Sequence, residues 1–171
     1  MPTPIPPPGD YAAFMKWLST TAELTMAGPP AQRLAASGSP CDLMVMIDMP
    51  DREDLASGKL ISGEAGILFE KMLAAMNRTR DQVYIAAFCP GRTPSGRLQE
   101  QETEILAPIA RHHIALARPK GVWIMSQAVS RALLGADAAP GLGSLRKINH
   151  EGGNVEAVAS YSPRFLLQQP K

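Results

Sequence analysis

Net charge, cysteine and long apolar runs are all scarce in this chain. Its 17 lysines and arginines stand against 16 aspartates and glutamates, a formal balance of +1. That excludes the global attraction to nucleic acid that a strongly basic domain exerts. The balance is uneven along the chain: from Arg111 onward eight lysines and arginines face Asp137, Glu151 and Glu156. Such a half could touch phosphate, although solvated side chains explain it more simply. Two cysteines, Cys41 and Cys89, form no metal-ligand spacing, and each borders an apolar run, which points to buried inert thiols. No apolar run approaches the ~20 residues of a membrane span. The opening Met1-Pro2-Thr3-Pro4-Ile5-Pro6-Pro7-Pro8 has neither the basic start nor the apolar centre of a secretion signal, so a cytoplasmic location is expected.

What is present is a globular composition, 45% apolar and 19% charged, in a length that suits one domain with a full core. Residues 1–9 form a proline-rich, flexible tail by composition, and residues 10–171 read as a single domain. Leu43-Met44-Val45-Met46-Ile47 is apolar without alternation and too short for a helix. Such a run suits a strand buried on both faces of a parallel sheet. A polar loop through Gly58 and Gly63 follows, then a helix from Ala65 to Met76 with Leu68, Met72, Ala75 and Met76 sharing one face. Open α/β folds build ligand sites in the loop at the carboxyl end of such a strand.

The rest repeats the alternation. Tyr11–Leu24 reads as a helix capped by Asp10, with Phe14, Leu18 and Trp17 inward. Ala27–Pro40 reads as a connector. Further strands are expected at Val83–Phe88, Gly121–Met125 and Val155–Tyr161. Helices are expected at Glu102–Leu116, kinked or restarted at Pro108, at Gln127–Leu134 and from Arg164 to Gln169, with a Gly/Ala-rich loop over Gly135–Gly143. The Glu102–Leu116 helix would turn Ile105, Ile109, His112 and Leu116 inward. Strands alternating with helices argue for a parallel α/β sheet with helices on both sides. His112-His113 invites a metal or catalytic reading, but neighbours on a helix diverge and packing explains them better.

Several segments, in order, resemble the uracil-DNA glycosylase superfamily, nearest its bacterial family 4 branch. Gly58 to Leu73 is similar to that branch's "GRPFVGRAGQLLDKML", and Val83-Tyr84-Ile85 to its "VYITN" strand. Arg111 to Lys120 is similar to its helix-to-strand passage, and Ser160 to Pro170 to "TYHPAYLLRNP". The resemblance covers roughly Leu43 to Pro170. It implies a three-layer αβα sandwich around a four-stranded parallel sheet.

It also implies where the chemistry would sit. A glycosylase holds a flipped base by stacking and edge hydrogen bonds and stabilises the departing charge. The branch's "GEAPG" falls on Ile47-Asp48-Met49-Pro50-Asp51, so bulk replaces glycine at Ile47. The stacking phenylalanine falls on Ile61, which offers no flat π surface. The uracil-reading asparagine falls on Ala87, which has no side-chain hydrogen bond to give. The histidine of "YHP" falls on Ser162, which cannot supply an imidazolium's charge. Asp48 and Ser162 are thus the degenerate catalytic positions, and Ile47, Met49, Pro50, Ile61 and Ala87 the degenerate substrate-binding ones. Arg164 stands in the segment that approaches DNA.

The branch's early cysteine pair has no counterpart, and Leu106 replaces a later one. No metal or other cofactor is expected, since two cysteines cannot hold a four-thiolate cluster. The resemblance therefore implies a catalytically degenerate protein, a non-enzymatic interaction module in DNA replication or repair. Its partner would be a replication or repair protein, with weak DNA contact conceivable and no membrane. The alternative is a weak or altered DNA glycosylase using Asp48 and Ser162.

Overall fold

Of the 171 residues, the computed structural model describes 6–135 and 145–168. The first five residues of the proline-rich tail, the expected loop beyond Gly135, and Gln169 lie outside the described residues. Six strands form one sheet: β1 (Ala36–Ser37), β2 (Leu43–Ile47), β3 (Tyr84–Ala87), β4 (Gly121–Ile124), β5 (Arg146–His150) and β6 (Gly153–Ala159). Their order is β1-β3-β2-β4-β6-β5. The four central strands are parallel, as the apolar runs require, with Val45 beside both Ile85 and Trp123.

Two antiparallel edges extend the expected four-stranded sheet. β1 lies within the expected connector and pairs Ala36 with Ala86. β5 folds back on β6 through a turn at Glu151-Gly152, pairing Ile148 with Val155. The fourth expected strand accordingly begins at Gly153 and stops at Ala159. The connector is ordered because Arg33 donates to the carbonyls of Leu18, Leu24 and Gly28, folding it onto the first helix.

The helices are α1 (Tyr11–Thr20), α2 (Arg52–Ser57), α3 (Gly63–Ala75), α4 (Glu100–Ala117), α5 (Gln127–Leu134) and α6 (Pro163–Gln168). α1 is shorter than expected, and Asp10 caps it by accepting from the Ala13 N–H at 3.0 Å. α1, α4 and α5 pack on one sheet face around Phe14, Met44, Tyr84, Leu106 and Ile114. α3 packs on the other, where Phe69 and Leu73 meet Val45 and Ile85. The result is an αβα sandwich.

Two buried helix faces differ from expectation. In α3 the inward residues are Gly66, Phe69 and Leu73, while Ala75 and Met76 are exposed. Gly66 decides this: a Cβ there would lie 2.5 Å from the Ile61 carbonyl oxygen, so only glycine lets the helix approach that loop. In α4 the inward residues are Leu106, Ala110, Ile114 and both histidines, and Ile105 is exposed. Pro108 neither starts nor breaks α4. The carbonyl its missing N–H would have paired belongs to Glu104, and both residues are exposed to water.

Candidate functional site

The carboxyl ends of the parallel strands open where connections leave β2 on one side and β4 on the other, which is where α/β sheets place ligands. β2 ends at Ile47, followed by Asp48. The polar loop after it is more built than its sequence suggests. Asp51 caps the two-turn α2, and Asp54 in its first turn is a buried carboxylate, 3% exposed. Asp54 accepts from the N–H groups of Asp51 (3.1 Å), Ile61 (3.2 Å) and Ser62 (2.9 Å) and from the Ser62 hydroxyl (2.6 Å).

From the opposite side, the Arg80 guanidinium donates to the carbonyls of Leu60 (2.8 Å) and Ile61 (2.6 Å) while lying over the Phe69 ring. Ile61 is thereby held at φ 54°, a region β-branched residues rarely enter. The side chain is driven inward and is 5% exposed.

Ile47, Asp48, Ile61, Ser162 and Arg164 all line one inner space. Its volume is about 20 Å³, room for about one water molecule, against roughly 300 Å³ for the smallest ordinary ligand pockets. The other expected positions do not line it. Met49 is buried in the core on the far face of the sheet, and the Pro50 carbonyl accepts from Arg92 at 3.4 Å. Ala87, beside Ile47 in register, packs in the apolar cluster behind the space.

Arg164 spans the mouth. It lies 3.6 Å from Asp48 and 3.2 Å from Asp51, and Arg92 lies 3.4 Å from Asp51. Burial pushes the Asp48 carboxyl above the usual carboxylate range, while Arg164 and the Met49 N–H, 2.7 Å away, pull it back. The Ser162 hydroxyl oxygen accepts from the Phe165 N–H at 3.0 Å. Outside this mouth lies an open polar cleft of about 520 Å³ lined by Asp48, Arg92, Ser126, Gln127 and Arg164 among others. Its two carboxylates and two guanidiniums neutralise one another.

The model of the uracil DNA glycosylase superfamily matches residues 38–171. The chain belongs to that superfamily. No curated protein matches it. The match takes in strands β2 to β6 and every residue of the mouth, and β1 precedes it. Among the described residues no cluster of three or more histidine, cysteine, aspartate or glutamate side chains could hold a metal ion, and no helix is long and apolar enough to cross a membrane. Cys89 is buried two residues beyond β3, and burial pushes its thiol up to about 11.

Sequence reasoning missed Asp54 and Arg80, which fix the loop, and Arg92, which braces Asp51. The signal for Asp54 was available: an acid three residues after a helix-capping aspartate is a capping-box pattern.

Proposed function

We propose that this superfamily member is catalytically degenerate, a non-enzymatic interaction module in DNA replication or repair that keeps the glycosylase scaffold of the family 4 branch. The observation carrying this reading is the inner space of about 20 Å³, filled by Ile47 and Ile61 and closed by Arg164 on Asp48. A flipped base needs a slot, a stacking surface and an edge reader. Here the slot is occupied by side chains, and the positions of stacker and reader hold Ile61 and Ala87. Any one oxyanion donor is typically worth ~10²–10³-fold in rate, so several losses together leave little catalysis.

The test is excision and binding with single- and double-stranded uracil-containing oligonucleotides. No excision by wild type is expected, and capture from the source cells should then recover replication or repair proteins. Excision that disappears in Asp48→Ala would overturn the reading. It would favour a weak or altered glycosylase, for which the open polar cleft beside Asp48 and Ser162 is the supporting observation.

A further inference from the structure

The second face of the sheet is covered unevenly. α3 lies over β2 and β3, but among the described residues nothing covers the face over β4 and β6, which forms an almost wholly apolar groove of about 670 Å³. Trp123 and Val158 form its floor, with Met76 at the end of α3 and Leu145 before β5 at its sides. Strands ~4.8 Å apart make three of them span about 10 Å, the diameter of one helix.

Next to the groove stands α6, which packs against α3 and leaves apolar side chains exposed. α6 begins two residues after Tyr161, which itself lines the groove. Tyr161 stacks on Phe165 at 4.7 Å between ring centroids, joining groove and helix into one surface. Phe165, Leu166 and Leu167 are 40%, 41% and 49% exposed.

We propose that this surface is a two-fold interface between copies of this chain, each copy laying its α6 into the other's groove. One patch carrying both an apolar groove and an apolar helix is self-complementary, as a two-fold contact requires. The described residues expose eight large apolar side chains, and six of them (Met76, Leu145, Tyr161, Phe165, Leu166 and Leu167) lie here. They present on the order of 500 Å² per copy, at the upper end for the largest patch of a monomer. Two copies bring together on the order of 1,000 Å², where specific interfaces begin.

Lys147 and Glu156 stand opposite each other across β5 and β6 beside the groove, so a second copy meets no excess of one charge. Pro8 is held on the other face, where His112 on α4 lies 2.6 Å from its carbonyl oxygen. The proposal stands independently of the excision question.

The test is sedimentation of the full chain from about 1 to about 300 µM, a range in which modest interfaces dissociate. A concentration-dependent dimer is expected. Leu145→Glu in the groove and Leu166→Lys on α6 should each raise its dissociation constant at least about tenfold, since burying an unpaired charge is costly. Both sites are exposed, so circular dichroism and Tm should stay at wild-type values. Mixing the two variants should restore the dimer, because the glutamate of one groove then meets the lysine of the other's helix. A monomer at every concentration would overturn the proposal and leave the groove to a different protein. A dimer indifferent to both substitutions, or a mixture that stays monomeric, would overturn it as well.

Discussion

Asp54→Asn is the most informative single change, because it tests what keeps Ile61 in the inner space. The carboxylate satisfies four donors, two on each oxygen. An asparagine keeps one oxygen, enough for the Ser62 pair, and turns an NH₂ group toward the N–H groups of Asp51 and Ile61. Each buried donor left unpaired costs about 1–3 kcal/mol. Ile61 is 5% exposed and its N–H bond to Asp54 is buried, whereas Asp51 is more open and recovers part of its loss. The expected net loss is about 3 kcal/mol, or about 6–12 °C in Tm for a chain of this size.

Urea unfolding at pH 7 followed by circular dichroism measures it, with an unchanged m-value showing that the unfolded state is not the cause. A loss under about 1 kcal/mol would refute the claim that Asp54 holds the loop. A double-mutant cycle with Arg80→Met sharpens the test. Both side chains restrain the peptide units around Ile61, so their effects should couple by at least about 0.5 kcal/mol.

His113 is buried against Tyr84, whose hydroxyl lies 2.6 Å from Nε2, and burial, with His112 beside it, lowers its pKa to about 4. Below about pH 6.5 the unfolded chain takes up a proton that the folded chain refuses, so stability is full above that pH and falls as pH drops toward 4, by about 3 kcal/mol. Urea midpoints at pH 7, 5.5 and 4 check this, and a flat profile contradicts it. For Arg164→Met a stability change under about 1 kcal/mol is expected, because its ion pairs remain about a third exposed. With a thiol reagent at pH 8 the native chain should titrate Cys41 alone, since Cys89 is fully buried, and both thiols should react in urea.

The central sheet was legible because parallel strands buried on both faces must be apolar throughout, and Leu43–Ile47 and Val83–Phe88 are. β5 was not, because in Arg146-Lys147-Ile148-Asn149-His150 only Ile148 is buried, and pairing with β6 rather than apolarity makes it a strand. The inward face of α3 was misplaced by one residue. Ile67, Leu68, Phe69, Met72 and Leu73 wrap more than half of the helix, so periodicity alone cannot choose among them. A contact distant in sequence chooses: the Ile61 carbonyl above Gly66. Arg164 could be placed near the site by resemblance, but its pairing with Asp48 and Asp51 depends on how α6 leaves β6, which no local pattern encodes.

The state of the mouth bears on function through its unused capacity. A working site keeps polar groups unspent for the substrate, and holding them open costs stability. Here Asp48 is engaged by Arg164 and the Met49 N–H, Asp51 by Arg92 and Arg164, and Asp54 by the loop backbone. Ser126 and Ser162 each accept from the first turn of the helix they precede. Among the described residues the buried side-chain polar atoms without a hydrogen-bond partner are Arg80 Nε, which lies 3.5 Å from a Glu70 carboxylate oxygen, and Ser130 Oγ, and neither lines the inner space or the cleft. On the proposed reading, the departures from the branch pattern act in one direction. Ile47 and Ile61 line an inner space of about 20 Å³, and the charges at its edge pair with each other. Each step relieves a cost that binding a base would otherwise have justified, and that is the physical ground for the non-enzymatic reading.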